Sequence, residues 1–125
     1  MLNLDTHILL HALAGTLRPA ERGLLEGDQW SVSAIVQWEI CKLEQLGRIE
    51  LDLDLPEVSR ILHRLQTWPL TWEICRASCG LDVRGDPADE LIAATSVVHN
   101  VPLVTRDRAL RKSKQIPLAP LRKGR

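Results

Sequence analysis

Two short apolar runs, residues 1–4 and 101–105, each give way to an aspartate, Asp5 or Asp107, and then to residues with helical character. Between them, brief extended stretches alternate with helical patterns. Helical spacing covers Thr6–Leu13 through Ile8, Leu9, Ala12 and Leu13, and Pro19 opens a second short helix ending at Leu25. Trp30–Val32 reads as a strand, and Ser33 suits a cap for a helix from Ala34 to Leu46, stopped by Gly47. Ile49–Leu55 reads as a loop with some extended character. Pro56 starts a helix with a 3.6-residue apolar period (Val58, Ile61, Leu62, Leu65), and Pro69–Trp72 is expected to be a strand before a helix from Glu73 to Leu81. Asp86 suits an N-cap and Pro87 a first helical position, for a helix reaching His99 with Asn100 beyond it. After the strand at 101–105 come a helical turn, Arg108–Lys112, and a final extended piece, Ile116–Leu118.

Short strands separated by helices favour a parallel sheet, because parallel neighbours need a crossover and a helix supplies it. The expected class is α/β, in three α/β/α layers around a central parallel sheet of short strands. With 125 residues the chain is expected to form a single domain, 1–125, with a basic tail from about residue 119. In such sheets ligands bind beyond the carboxyl ends of the strands, so function is sought along that edge.

Four acids fall there. Asp5 and Asp107 follow two strands and share one edge if the strands are parallel. Asp89 stands in the first turn of its helix and can face the same place. Glu39 lies four residues after Ile35 and four before Leu43, a carboxylate in an otherwise apolar stripe. A buried carboxylate must find a partner or take up a proton. Lys42 offers an internal ion pair; a shared cation offers the alternative. Clustered carboxylates repel one another, and a divalent ion relieves that conflict; all-oxygen donors suit Mg²⁺, with Mn²⁺ possible, and argue against zinc. The first-turn acids Asp86 and Asp89 also have a plain structural reading as helix caps.

Composition narrows the classes. Sixteen basic and sixteen acidic residues give no global field, but eight of the basic residues lie from Arg106 onward, where Asp107 is the lone acid. Those from Arg106 to Lys114 are positioned to hold a nucleic-acid backbone, against the simpler reading of a solvated tail. Three cysteines, an odd number, argue against a disulfide framework and for a reducing, cytoplasmic setting, and Cys75 and Cys79 read as packing residues. His7 and His11 lack an evident third ligand and read as surface or core residues. No apolar run is long enough for a membrane helix. Phe and Tyr are absent, so only four tryptophans can stack on a base, too few for a dedicated single-strand platform.

The segments Leu2-Asn3-Leu4-Asp5-Thr6, Val36-Gln37-Trp38-Glu39-Ile40, Asp86-Pro87-Ala88-Asp89-Glu90-Leu91-Ile92-Ala93-Ala94-Thr95 and Leu103-Val104-Thr105-Arg106-Asp107 resemble, in this order, the successive signatures of a PIN domain. The resemblance runs from residue 2 to about residue 118 and is nearest to the VapC-type toxins of bacterial toxin-antitoxin pairs. It implies a Mg²⁺-dependent ribonuclease, the toxin of a type II toxin-antitoxin system, with Asp5, Glu39, Asp89 and Asp107 as the catalytic, metal-holding acids. Thr6 and Thr105 match supporting hydroxyl positions, and Asp86 an additional acid present in many relatives. Glu90 departs from the pattern, since many relatives carry Arg there. The implied partners are RNA as substrate, an antitoxin whose segment covers the acidic pocket, and a second copy of the chain in a homodimer. Two other readings are weighed: a PIN fold that binds without catalysing, and a receiver-type phosphoacceptor domain. The latter lacks an acidic pair after the first strand and has Arg106 where a lysine is required.

Overall fold

The computed structural model describes residues 1–121. Four strands, β1 (Leu2–Leu4), β2 (Trp30–Ser33), β3 (Gln66–Trp68) and β4 (Leu103–Val104), form one sheet in the order β3-β2-β1-β4. All three pairings are parallel: Asn3 lies opposite both Ser31 and Leu103, and Val32 opposite Thr67. Seven helices supply the crossovers and flank the sheet: α1 (Thr6–Ala14), α2 (Pro19–Leu25), α3 (Ala34–Gln45), α4 (Pro56–Arg64), α5 (Trp72–Ser78), α6 (Pro87–His99) and α7 (Arg108–Arg111). Every residue of β1 is buried although its side chains alternate between faces, so both faces of the sheet are covered.

Leu4, Ile8, Leu9, Val32, Val36, Ile92, Leu103 and Val104 are all fully buried in one apolar core. Asn3 is buried with them, and its amide nitrogen donates to Ile92 O (3.2 Å) and Ser96 Oγ (2.9 Å). That pins β1 to α6 and fixes their relative height.

The caps follow the sequence closely. Asp5, Ser33, Thr71 and Asp86 each accept a backbone N–H from the first turn of the helix that follows. Gly15 and Asn100 end α1 and α6 in the left-handed region, at φ 73° and 52°.

The expected strand at Pro69–Trp72 is displaced. The ladder runs through Gln66–Trp68 and stops at Pro69, which has no N–H to donate. Thr71 then caps α5, which begins at Trp72 and ends at Ser78, before the expected Leu81. The loop at 49–55 is a loop, and the extended piece near the C-terminus lies beside β4 through a parallel bridge between Leu103 and Leu118. The basic tail beyond Leu121, with Arg122, Lys123 and Arg125, lies outside the described residues. Among the described residues no helix is long and apolar enough to cross a membrane.

Candidate active site

Asp5 emerges from the carboxyl end of β1, held by its own N–H to Val104 O (3.0 Å), and is only 4% exposed. Its two carboxylate oxygens divide their work. Oδ1 accepts from Thr6 N (2.8 Å), capping α1, and Oδ2 accepts from Thr105 Oγ1 (2.6 Å), across the β1–β4 pairing. Thr105 Oγ1 in turn accepts from Asp107 N (3.0 Å). On the other side Thr6 Oγ1 donates to Glu39 Oε1 (2.6 Å). A continuous relay therefore runs Glu39, Thr6, Asp5, Thr105, Asp107, joining α3, β1 and the turn after β4. Both threonines are fully or almost fully buried, which favours their hydroxyls finding these partners.

Asp89 completes the group from the first turn of α6. Burial pushes its carboxyl up to about 6, and the charges of Asp5, Asp107, Asp86 and Glu39 add to the shift, in that order. Glu39 is also raised, first by burial and then by Asp5 and Asp86, with the Thr6 hydroxyl opposing. The four sequence-nominated acids thus share one electrostatic neighbourhood, with Asp86 at its exposed rim. Glu90, next along α6, is half-buried.

The ion-pair alternative for Glu39 does not hold. Lys42 Nζ donates to Gln45 Oε1 (2.9 Å) on the exposed side of α3, whereas Glu39 turns inward to Thr6. Among the described residues Glu39 makes no salt bridge. No three acidic, histidine or cysteine side chains among them are already drawn together tightly enough to enclose an ion. The donor chemistry nonetheless fits a hard divalent cation. The cluster offers carboxylate and hydroxyl oxygens, and the Asp89 and Glu39 carboxyls, raised first by burial, are raised further by neighbouring negative charge that a cation offsets.

Two further expectations change. Arg106 does not face the acids: its guanidinium grips Glu21, Nε to Oε2 at 2.5 Å and Nη2 to Oε1 at 2.6 Å. Arg111 donates to Thr105 O (3.1 Å) and Ala119 O (3.2 Å). Both are structural cations, leaving Arg108, Lys112 and Lys114 as the exposed ones of that run. At the start of α6, Pro87 has no N–H and that of Ala88 goes to Asp86 Oδ1 (2.9 Å), which leaves little of the first turn free for a phosphate.

Sequence reasoning missed Glu21. It is 1% exposed on α2, and Oε1 also accepts from Arg18 N (2.8 Å), the N-cap residue of that helix. Hydrogen bonding from Arg106 holds its carboxyl below the usual range. Nothing local in the sequence marks the long-range partner. His11 takes part through Nε2, 3.1 Å from Arg106 Nη1, with Nδ1 2.7 Å from Thr16 Oγ1. Burial and the Arg106 charge lower its pKa, and the neutral ring is the form able to accept from a guanidinium. His7 is exposed. The cysteines are free; Cys75 is partly buried, and Cys79 is exposed rather than packed inside.

The model of the PIN domain family matches residues 3–115. Ribonuclease VapC22 of Mycobacterium tuberculosis is 31% identical over 117 residues, spanning 89% of this chain and 90% of the relative. Among solved structures, that of VapBC2 from Rickettsia felis, bound to a DNA fragment from their promoter, matches with a TM-score of 0.71 at 19% identity. It covers 95% of this chain and 98% of that one. A toxin-antitoxin complex from Klebsiella pneumoniae matches with a TM-score of 0.66 at 20% identity, over 86% of this chain and 87% of that one. At such low identity the two structures speak for the fold alone.

Proposed function

This chain belongs to the PIN domain family, and on that premise we propose that it is a VapC-type ribonuclease, the toxin of a type II toxin-antitoxin pair. It hydrolyses RNA phosphodiester bonds with the help of Mg²⁺ or Mn²⁺. The observation that carries the reading is the convergence of four acids from four parts of the chain, with a carboxyl as high as about 6 on Asp89. Structural neighbours that are toxin-antitoxin complexes support an antitoxin as partner. A second copy of the chain is the other partner we propose.

Asp5, Glu39, Asp89 and Asp107 would hold the cation. Held there, the ion would supply a nucleophilic water and offset charge on the phosphoryl and leaving oxygens. The protein's own contribution is orientation. Thr105 fixes Asp5 Oδ2, and Thr6 fixes Glu39 Oε1, so neither carboxylate has to be ordered when ion and substrate arrive. Among the described residues the Asp89 side chain has no such hydrogen bond, and with its carboxyl raised to about 6 it would release any proton it carries on holding a cation. Arg108, Lys112 and Lys114 are exposed beyond Asp107, where they can steer an RNA backbone without reading its sequence.

The deciding experiment is RNA cleavage by the purified chain in Mg²⁺ or Mn²⁺ against chelator, with Asp5→Asn alongside. Cleavage that depends on both the ion and Asp5 is expected. Equal cleavage in chelator, or by Asp5→Asn, would overturn the reading.

A further inference from the structure

The acid relay ends on Asp107, yet the strand that leads to it, β4, has only two residues. So short a ladder does little by itself to fix the following turn, whereas a metal or catalytic group must be held to about 0.5 Å. Arg106 sits in the middle of that turn, between Thr105, which touches Asp5, and Asp107. Its guanidinium is gripped by Glu21, a residue 85 positions earlier in the chain. Burying a carboxylate this fully is costly without a charged partner, so the pair forms a stiff two-pronged link. His11 closes the third side of the guanidinium, and Arg111 clamps the carbonyl of Thr105.

Resting on the cation-dependent reading above, we infer that Glu21 is a positioning residue: through Arg106 it holds the Thr105–Asp107 turn in place against Asp5. Glu21 touches neither the acids nor anything bound to them. Its influence passes through the guanidinium to the backbone on either side of it. Arg106 is accordingly an internal strut and not a hand for RNA.

The test compares wild type, Glu21→Gln, Arg106→Gln and the double variant, with Glu21→Asp as a charge-preserving control. Amide exchange is measured on the protein without added metal, Mn²⁺ affinity by titration, and KM and kcat on RNA. Glu21→Gln is expected to speed exchange at Asp107, Ala109 and Leu110 while α6 is unchanged. It should also weaken Mn²⁺ binding and lower kcat, each about tenfold, as loss of an outer support does, with KM unmoved. Glu21→Asp should recover most of the protection, and it carries the comparison if Glu21→Gln does not fold. The double variant should be no worse than the poorer single. Unchanged exchange and Mn²⁺ affinity in a folded Glu21→Gln would overturn the inference. So would exchange that rises equally through the sheet and α6, because Glu21 would then merely hold the fold. Failure of wild type to bind Mn²⁺ would instead overturn the metal reading, while the exchange comparison would still decide on the strut.

Discussion

Thr6 Oγ1 and Glu39 Oε1 lie 2.6 Å apart, so the first residue of α1 is tied to the middle of α3 by a hydroxyl that has few other places to point. The bond opposes the burial that raises the Glu39 carboxyl. Glu39 is thereby kept closer to its ionised form than its surroundings would otherwise allow.

Thr6→Val keeps the shape and removes the donor. The Glu39 carboxyl should rise further, and stability should fall by about 1 kcal/mol, the usual scale for losing one partner of a partly buried hydrogen bond. The acid limb of the cleavage profile should move to higher pH. Denaturant melts and a pH–rate profile check both; a profile identical to wild type would remove Thr6 from the relay.

Asp89→Asn separates stability from activity. The Asp89 carboxyl stands at about 6 in the folded chain against an ordinary 3.8, so the folded state binds the proton more tightly than the unfolded one. Its contribution is fully favourable below about pH 4 and is lost as pH rises through 6. Asp89→Asn should therefore melt later than wild type at pH 8, by about 1 kcal/mol after allowing for solvent screening, and lose that advantage by pH 4. Cleavage should fall by at least two orders of magnitude, on the order expected for losing a metal ligand. A variant less stable at pH 8, or fully active, contradicts the assignment.

Adding Mn²⁺ or Mg²⁺ should raise the melting temperature of wild type, with about 2.7 kcal/mol of stabilisation at a hundred times the dissociation constant. Near pH 6 the binding should release protons, since Asp89 is partly protonated beforehand. Calorimetric titration in buffers of different ionisation enthalpy measures that release, and Asp89→Asn should diminish it.

Arg108→Gln and Lys112→Gln should weaken RNA binding more at low salt than at high, each lowering the slope of log affinity against log salt by about one. Affinity measured from low to physiological salt checks this. An unaltered slope would mean that these exposed cations do not meet the RNA backbone.

Much of this arrangement was legible because it is local. A strand ending on Asp5, a Pro at the first position of α6 and a carboxylate within the apolar stripe of α3 are all periodicity or capping signals. Glu39 was ambiguous for a specific reason: Lys42 is one helical turn away, and only the packing of α1 against α3 shows that Thr6 is the partner. The strand at Pro69–Trp72 was misplaced because Leu70 and Trp72 look like strand residues, yet they are exposed, and the ladder uses Thr67 and Trp68 instead. Glu21 and Arg106 were beyond reach. Nothing in the spacing of a short, polar α2 indicates that a guanidinium from the far end of the chain will fill the space beside it.

Leu103 donates to Pro117 O (2.8 Å) and accepts from Ala119 N (2.9 Å), so the segment after α7 covers the outer side of β4. A shortened chain ending before Pro117 would leave those two amide groups as an open template for strand addition, and it should self-associate on storage. Expression tags and fusion partners therefore belong beyond this lacing, where they leave it closed.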